Sequence, residues 1–155
     1  MRLATIKLNG QEIAGIDIAR GVMPIYAINA YKGTAWQTEL FSLICAGEIV
    51  GLTYWYNNGG EAELNRIPGL IPREKVTYGP LYRNPKRIFG IGLNYKEHAG
   101  DIGSAPITGF PGSFFKQADT LIGSGDAIKL PTLKEAQRTT AEAELGIILA
   151  RIVGM

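Results

Sequence analysis

The chain has 155 residues, of which 46% are hydrophobic and 19% charged, so it belongs to the class of ordinary globular domains. A formal net charge of only +2 argues against a nucleic-acid or anionic-membrane surface, which would concentrate basic residues. The sequence shows no secretory signal and no apolar run of about 20 residues, the length that a membrane-spanning helix needs. Cys45 is the only cysteine, which excludes an intrachain disulfide and a CxxC metal site. We therefore expect a cytoplasmic protein that binds neither nucleic acid nor membrane.

Residues 1–75 are predicted to form a small β-rich domain that opens with a hairpin. Asn9-Gly10 lies between two alternating stretches, residues 2–8 and 11–18. This dipeptide is the strongest short signal for a hairpin, because both of its positions tolerate positive φ.

A third strand and a helix are predicted next in the same domain. The strand covers residues 22–29, and Pro24 favours a sheet edge because proline has no N–H to donate to a neighbour. Thr34 is a candidate N-cap and Gly47 a candidate helix end. Between them, apolar residues recur at helical spacing: Trp36, Leu40, Leu43 and Ile44.

Residues 76–155 are predicted to form a second, mainly β domain. A proline-rich connector over residues 68–85 leads into it, with one brief strand around Val76–Tyr78. The apolar segment that begins at Arg87 predicts a buried strand. Further strands are predicted at residues 113–115, 127–130 and 142–149.

Two glutamates form the first candidate site. Glu142 and Glu144 are two residues apart, so in a strand both carboxylates would project from one face. On a buried strand they would repel each other and lose solvation, and a hard cation would resolve both costs. A strand with one solvated face explains the same pattern without a metal. Both interpretations remain open on the residues alone.

The single histidine forms the second candidate site. If its segment is helical, His98 and Asp101 lie three positions apart and can meet on one face. A carboxylate that orients the imidazole would strengthen it as a general base. A surface histidine with no catalytic role is the alternative interpretation.

Several segments of residues 76–155, taken in order, resemble the fumarylacetoacetate hydrolase family. The segment from Arg87 to Tyr95, with His98 after it, is similar to characteristic family elements. So are four later segments in the same order: Phe114-Phe115-Lys116, Leu121-Ile122-Gly123, Ile128-Lys129-Leu130-Pro131 and Glu142-Ala143-Glu144-Leu145. The resemblance implies an α+β, mainly β fold with short helices. A small N-terminal domain would precede a mixed β-roll, and the protein would usually be a dimer.

The resemblance also implies roles for individual residues. Glu142 and Glu144 would be two ligands of a divalent metal, Mg²⁺ first, with Mn²⁺ or Ca²⁺ as alternatives. His98 would be the general base, with Asp101 in a place that the family usually gives to glutamate. Lys116 and Tyr95 would bind substrate, although a structural role for Lys116 is equally compatible with its position.

The implied activity is hydrolysis of C–C bonds in small β-diketo or 2-oxo acids, as in aromatic catabolism. Isomerase and decarboxylase reactions of the same family are alternatives. The family's third metal ligand is an aspartate well beyond Glu144, and the chain ends at Met155. We therefore expect the catalytic domain to be incomplete on its C-terminal side. A homodimer or a completing chain is the expected partner, and a fragment that is inactive alone is a further alternative.

Overall fold

The structure is a computed structural model that describes residues 1–92, 95, 109–110, 112–132, 134 and 139–149. Its strands are β1 (Leu3–Leu8), β2 (Gln11–Ile18), β3 (Gly21–Pro24), β4 (Ile71–Pro72), β5 (Ile88–Gly92) and β6 (Gly112–Lys116). Its α-helices are α1 (Ile25–Lys32), α2 (Leu40–Cys45), α3 (Ile49–Trp55) and α4 (Glu61–Glu63). This mixture of sheets and short helices confirms the predicted α+β class. None of the helices in these ranges combines the length and apolarity that crossing a bilayer requires.

Strands β1 and β2 form the hairpin that Asn9-Gly10 predicts. They pair antiparallel from Leu3 with Ile16 to Leu8 with Gln11, which leaves a two-residue turn. Asn9 and Gly10 have φ values of 50° and 78°. Positive φ at both central residues is what the tight hairpin turn requires.

The prediction of a strand over residues 22–29 is correct only to Pro24, because helix α1 begins at Ile25. Proline suits a helix N-terminus, since its fixed φ is already helical and its missing N–H would have had no partner there. Ile25 and Ile28 are fully buried three positions apart, whereas Tyr26 is 44% exposed. The buried face therefore has helical spacing, and packing against the sheet favours a helix over a strand for these residues.

Strand β3 lies between β2 and β4 rather than at the predicted edge. β4 pairs with Gly21 and Val22, so among the residues that the structure describes no strand pairs with Pro24 on that side. An inner strand therefore tolerates proline at this position, because in the described part of the chain the missing N–H has no neighbouring strand to bond on that side.

Helix α2 begins at Leu40, six residues after the predicted Thr34 cap. Glu39 caps it instead: its carboxylate accepts hydrogen bonds from two backbone N–H groups of the first turn, at 2.9 and 2.7 Å. The predicted end is confirmed, since Gly47 follows the helix with a left-handed φ of 70°. Cys45, the last residue of α2, is exposed.

The core lies where one face of the four-stranded sheet meets the helices that follow it. Its fully buried large side chains come from β2, β3 and the helical region, and they pack as one cluster: Ile16, Met23, Ile25, Ile28, Leu43, Leu52 and Leu64. Nearly all of the burial in the described chain belongs to residues before position 82.

Two compact units are distinguished, one of Met1–Leu81 with Ile122–Met155 and the other of Tyr82–Leu121. The predicted division into domains 1–75 and 76–155 remains a prediction. In the second unit β5 and β6 pair antiparallel, which confirms the predicted strand at residues 113–115. β5 is less buried than predicted, because Phe89 is 58% and Ile91 43% exposed.

Two further predicted strands, residues 127–130 and 142–149, have irregular backbone. A strand exists only when its N–H and C=O groups pair with a neighbour. Neither segment pairs with any strand in the ranges that the structure describes. Apolar alternation alone was therefore not sufficient to predict a strand in these two segments. The brief strand near Val76–Tyr78 is present as a single antiparallel bridge between Tyr78 and Ile6 of β1.

Candidate active site

Lys116 ends strand β6, where it pairs with Ile88 of β5. Alternation along the strand places Lys116 and Phe114 on the same face of this two-stranded sheet. The Lys116 ammonium lies 5.6 Å from the centroid of the Phe114 ring, within the range of a cation–π contact. Lys116 is exposed. Its charge is therefore available to an anionic group such as a carboxylate.

Gly90 is the residue that permits this arrangement. It pairs with Phe114 across the two strands, and a Cβ at position 90 would lie 2.4 Å from the Phe114 ring. Any other residue would push the ring away and change the surface beneath Lys116. Gly90 thus has a packing role that the sequence did not predict.

The predicted base and its partner lie outside the described residues. The dyad of His98 and Asp101 therefore remains a prediction. Tyr95 is described, belongs to the second unit and is 49% exposed. Its assignment to substrate binding also remains a prediction.

Glu142 and Glu144 belong to the first unit, in the irregular segment 139–149. Both are exposed, and Glu142 makes an interaction within the protein. The argument from a buried strand, in which lost solvation demands a cation, is not supported here. Their role as metal ligands remains a prediction that depends on the family resemblance.

The donor chemistry of this pair fits a hard divalent cation, because Mg²⁺ and Ca²⁺ prefer oxygen ligands. Across the described ranges, however, no three His, Cys, Asp or Glu side chains converge on one point. The two glutamates therefore offer part of a ligand set. Other groups would have to fill the remaining coordination positions.

Asp126 stabilises the turn that begins at Gly123, a role that the sequence did not predict for it. Its carboxylate accepts a hydrogen bond from the Gly123 N–H at 2.8 Å, and its own N–H donates to the Gly123 carbonyl at 3.1 Å. Its other carboxylate oxygen lies 2.6 Å from the Lys7 ammonium. The Ser124-Gly125 dipeptide is a recognisable turn signal, but the partner of Asp126 in β1 could not be predicted.

A second polar cluster joins the connector to the four-stranded sheet. The Arg73 guanidinium donates to the Asp17 carboxylate at 2.6 Å and also contacts the Ile18 carbonyl and the Tyr78 hydroxyl. The hydrogen bond with Asp17 raises the pKa of Arg73, whose charge is thus held at every ordinary pH. We assign this cluster a structural role, since it ties residues 73–78 to β2.

Comparison with known proteins matches residues 87–155 to the family described as fumarylacetoacetate (FAA) hydrolase C-terminal. The matched region contains the five predicted segments and all six predicted site residues: Tyr95, His98, Asp101, Lys116, Glu142 and Glu144.

Individual relatives agree with this match. A Burkholderia cenocepacia protein named "Putative hydrolase BceJ2315_61450" is 36% identical over 107 residues, which is 67% of this chain and 35% of that protein. Mitochondrial oxaloacetate tautomerases, fahd2 of Xenopus laevis and FAHD2A of Bos taurus, are each 29% identical over 82 residues. That alignment covers 53% of this chain and 25% of each tautomerase.

The match and the relatives together confirm the resemblance to the fumarylacetoacetate hydrolase family that was found in the sequence, and the family model matches it over residues 87–155. The relatives' names include putative hydrolases and oxaloacetate tautomerases. The chain spans about a quarter to a third of the length of these relatives.

Proposed function

We propose that this chain contributes metal-binding and catalytic residues to an enzyme that acts on small 2-oxo or β-diketo acids. The observation that carries the proposal is the family match over residues 87–155, which includes every predicted site residue. The carboxylate-next-to-ketone pattern of such acids offers two oxygens for a cation and a negative charge for a lysine.

The candidate reactions are hydrolysis of a C–C bond and keto–enol tautomerisation. The relatives' names, a putative hydrolase and oxaloacetate tautomerases, agree with a hydrolase or a tautomerase in general terms. Both require a developing enolate to be stabilised and a proton to be moved at a defined position. Oxaloacetate, named for the animal relatives, is itself a 2-oxo acid. Decarboxylation, which passes through a similar enolate, remains a third outcome of the same chemistry.

Each proposed residue has one task. Glu142 and Glu144 would hold Mg²⁺, or Mn²⁺ or Ca²⁺ in its place, and the bound ion supplies Lewis-acid stabilisation of the enolate. His98, oriented by Asp101, would transfer the proton. Lys116 would attract the substrate carboxylate, a role that its exposed position on β6 supports, and Tyr95 would line the same pocket.

The β-roll, the cytoplasmic location and the partner are also parts of this proposal. A homodimer or a completing chain would supply the remaining metal ligands. A second candidate function is therefore a subunit that is catalytically silent alone. The incomplete set of ligating side chains within the described ranges favours it.

A calorimetric titration of the purified chain with Mn²⁺ measures its affinity for the metal. It tests the proposed metal site without requiring turnover. We expect binding that Glu142→Gln and Glu144→Gln each weaken about 10-fold or more, because each removes a charged ligand. Glu74→Gln is the matched control, since Glu74 is exposed and precedes the family region. Equal affinity in all four proteins would contradict the assignment of the glutamates.

An assay with oxaloacetate and with an acylpyruvate then separates the candidate functions. Turnover of either substrate that requires Mn²⁺ and is lost in His98→Ala would support the enzyme. Metal binding by the chain without turnover would favour the silent subunit. Adding the chain to a candidate partner should then restore activity.

A further inference from the structure

The family region is anchored to the N-terminal strand β1 by a set of contacts that we call the latch, formed by Lys7, Gly79, Gly123 and Asp126. Lys7 and Gly79 precede the family match, whereas Gly123 and Asp126 lie within it. The latch is therefore a physical link between the two predicted parts of the chain. All four residues belong to the same compact unit.

The first layer of the latch is the segment 77–81, which runs along β1. The Lys7 N–H donates to the Thr77 carbonyl at 2.7 Å, and the Gly79 N–H donates to the Thr5 carbonyl at 2.9 Å. The Thr5 hydroxyl donates to the Leu81 carbonyl at 2.6 Å. Thr5 is only 5% exposed, so these bonds are protected from water. These hydrogen bonds hold the backbone of residues 77–81 in a fixed position on β1, against which the turn at residues 123–126 can pack.

The second layer is the turn from Gly123 to Asp126, which rests on that segment by direct backbone contact. A Cβ at position 123 would lie 2.9 Å from both the Tyr78 carbonyl oxygen and the Gly79 backbone. Only glycine allows such an approach, and the backbone atoms opposite cannot move aside as a flexible side chain could. This close fit therefore specifies a single position of the turn against the backbone of residues 78–79, which we call its seat.

The ion pair of Lys7 and Asp126 closes the latch. Their charged atoms are 2.6 Å apart, and each side chain is 32% exposed, so the pair is partly shielded from solvent. Asp126 also accepts from the Gly123 N–H, so one carboxylate connects β1 to the turn. Loss of the Lys7 charge would release this carboxylate from β1 and so loosen its hydrogen bond with the Gly123 N–H.

We infer that Lys7 and Asp126 are positioning residues that hold the start of the segment leading to Glu142 and Glu144. This inference depends on the proposed function, because it assigns the latch a task in metal binding. Asp126 lies 16 residues before Glu142, and residues 127–132 and 139–149 have irregular backbone. An irregular segment is located chiefly by the points at which it is tied. Asp126 ties its start to β1, and Thr132 and Glu142 also make interactions within the protein.

The test compares Lys7→Met, Lys7→Arg and Asp126→Asn with the unaltered chain, and Lys75→Met is the matched control on an exposed lysine. Amide hydrogen exchange at Gly123 reports the latch itself. Mn²⁺ affinity by calorimetry reports its effect on the glutamates. We expect Lys7→Met and Asp126→Asn to speed exchange at Gly123 and to weaken Mn²⁺ binding roughly threefold or more, the size of ordinary coupling through packed contacts. Lys7→Arg should retain most of both properties.

A double-mutant cycle separates coupling from general damage. If Lys7 and Asp126 act as a pair, the double variant should weaken Mn²⁺ binding no more than either single variant does. Gly123→Ala provides a second route to the same result, by disturbing the seat rather than the ion pair. It should weaken binding even if Lys7→Met proves too unstable to measure.

The outcomes distinguish failure of the inference from failure of the proposed function. Faster exchange at Gly123 with unchanged Mn²⁺ affinity would overturn the positioning role and leave the proposed function intact. No Mn²⁺ binding by the unaltered chain would contradict the proposed metal site, and the latch would then be purely structural.

Discussion

Gly21 shows how a single position can be decided by its surroundings. Its φ is 151°, and a Cβ there would lie 2.0 Å from the Ile71 carbonyl oxygen of β4. Both the backbone conformation and the close approach of β4 therefore require glycine. Gly51 in helix α3 differs, since a Cβ there meets no atom within 4 Å. The composition alone could not distinguish these two glycines.

We predict opposite effects for alanine at these two positions. Gly21→Ala should lower the free energy of unfolding by about 2 kcal/mol or more, because it adds strain and displaces β4. Gly51→Ala should raise it by about 0.5–1 kcal/mol, because glycine is unfavourable inside a helix. Urea denaturation of both variants checks this. Similar destabilisation by both would show that the space around Gly51 is not open.

At the scale of elements, a local signal located the end of helix α2 but not its beginning. Gly47 ends α2 as predicted, because a left-handed residue after a helix is a property of the chain itself. The predicted start of α2 was wrong, because Glu39 rather than Thr34 caps the helix by accepting hydrogen bonds from N–H groups of the first turn. The Thr34 hydroxyl instead donates to the Asn29 side chain at 2.9 Å.

The Glu39 cap should make the stability of the chain depend on pH. Burial alone would raise the pKa of Glu39, but hydrogen bonds from Phe41 and Ser42 outweigh it and lower the pKa. The folded value thus lies below the unfolded one. The stabilisation is complete above the unfolded pKa and is lost as pH falls through the folded pKa. Glu39→Ala should cost about 1 kcal/mol at neutral pH. Glu39→Gln, which keeps an acceptor without a charge, should show less dependence on pH.

Chemical denaturation at several pH values between neutral and acid measures this effect. The difference between the unaltered chain and Glu39→Ala should shrink as the carboxylate is protonated. A difference that stays constant down to acid pH would show that the cap does not depend on the charge of Glu39.

At the scale of the whole molecule, burial is uneven between the two compact units. The four-stranded sheet has a core of fully buried side chains, such as Ile16 and Met23. The pair β5–β6 has only two strands, and Phe89 and Phe115 remain 58% and 68% exposed although their rings contact each other at 5.5 Å. An isolated two-stranded sheet is marginally stable in water.

Amide hydrogen exchange should therefore differ strongly between the two sheets. We expect the β1–β2 amides to exchange only with global unfolding, and the β5–β6 amides to exchange through local opening at a much lower cost. Exchange followed by mass spectrometry on the chain alone would measure both. Protection of β5–β6 equal to that of β2 would contradict the expectation.

The sequence by itself determined the features that arise from local conformational preferences or from an ordered series of motifs. These features are the Asn9-Gly10 hairpin, the end of α2 at Gly47 and the family of residues 87–155. Tertiary structure decided what depends on distant partners: helix α1 in place of a longer third strand, the Glu39 cap and the seat of Gly123 on the Tyr78–Gly79 backbone. The irregular backbone at Glu142 and Glu144 belongs to the same group, because a strand forms only where another strand lies beside it.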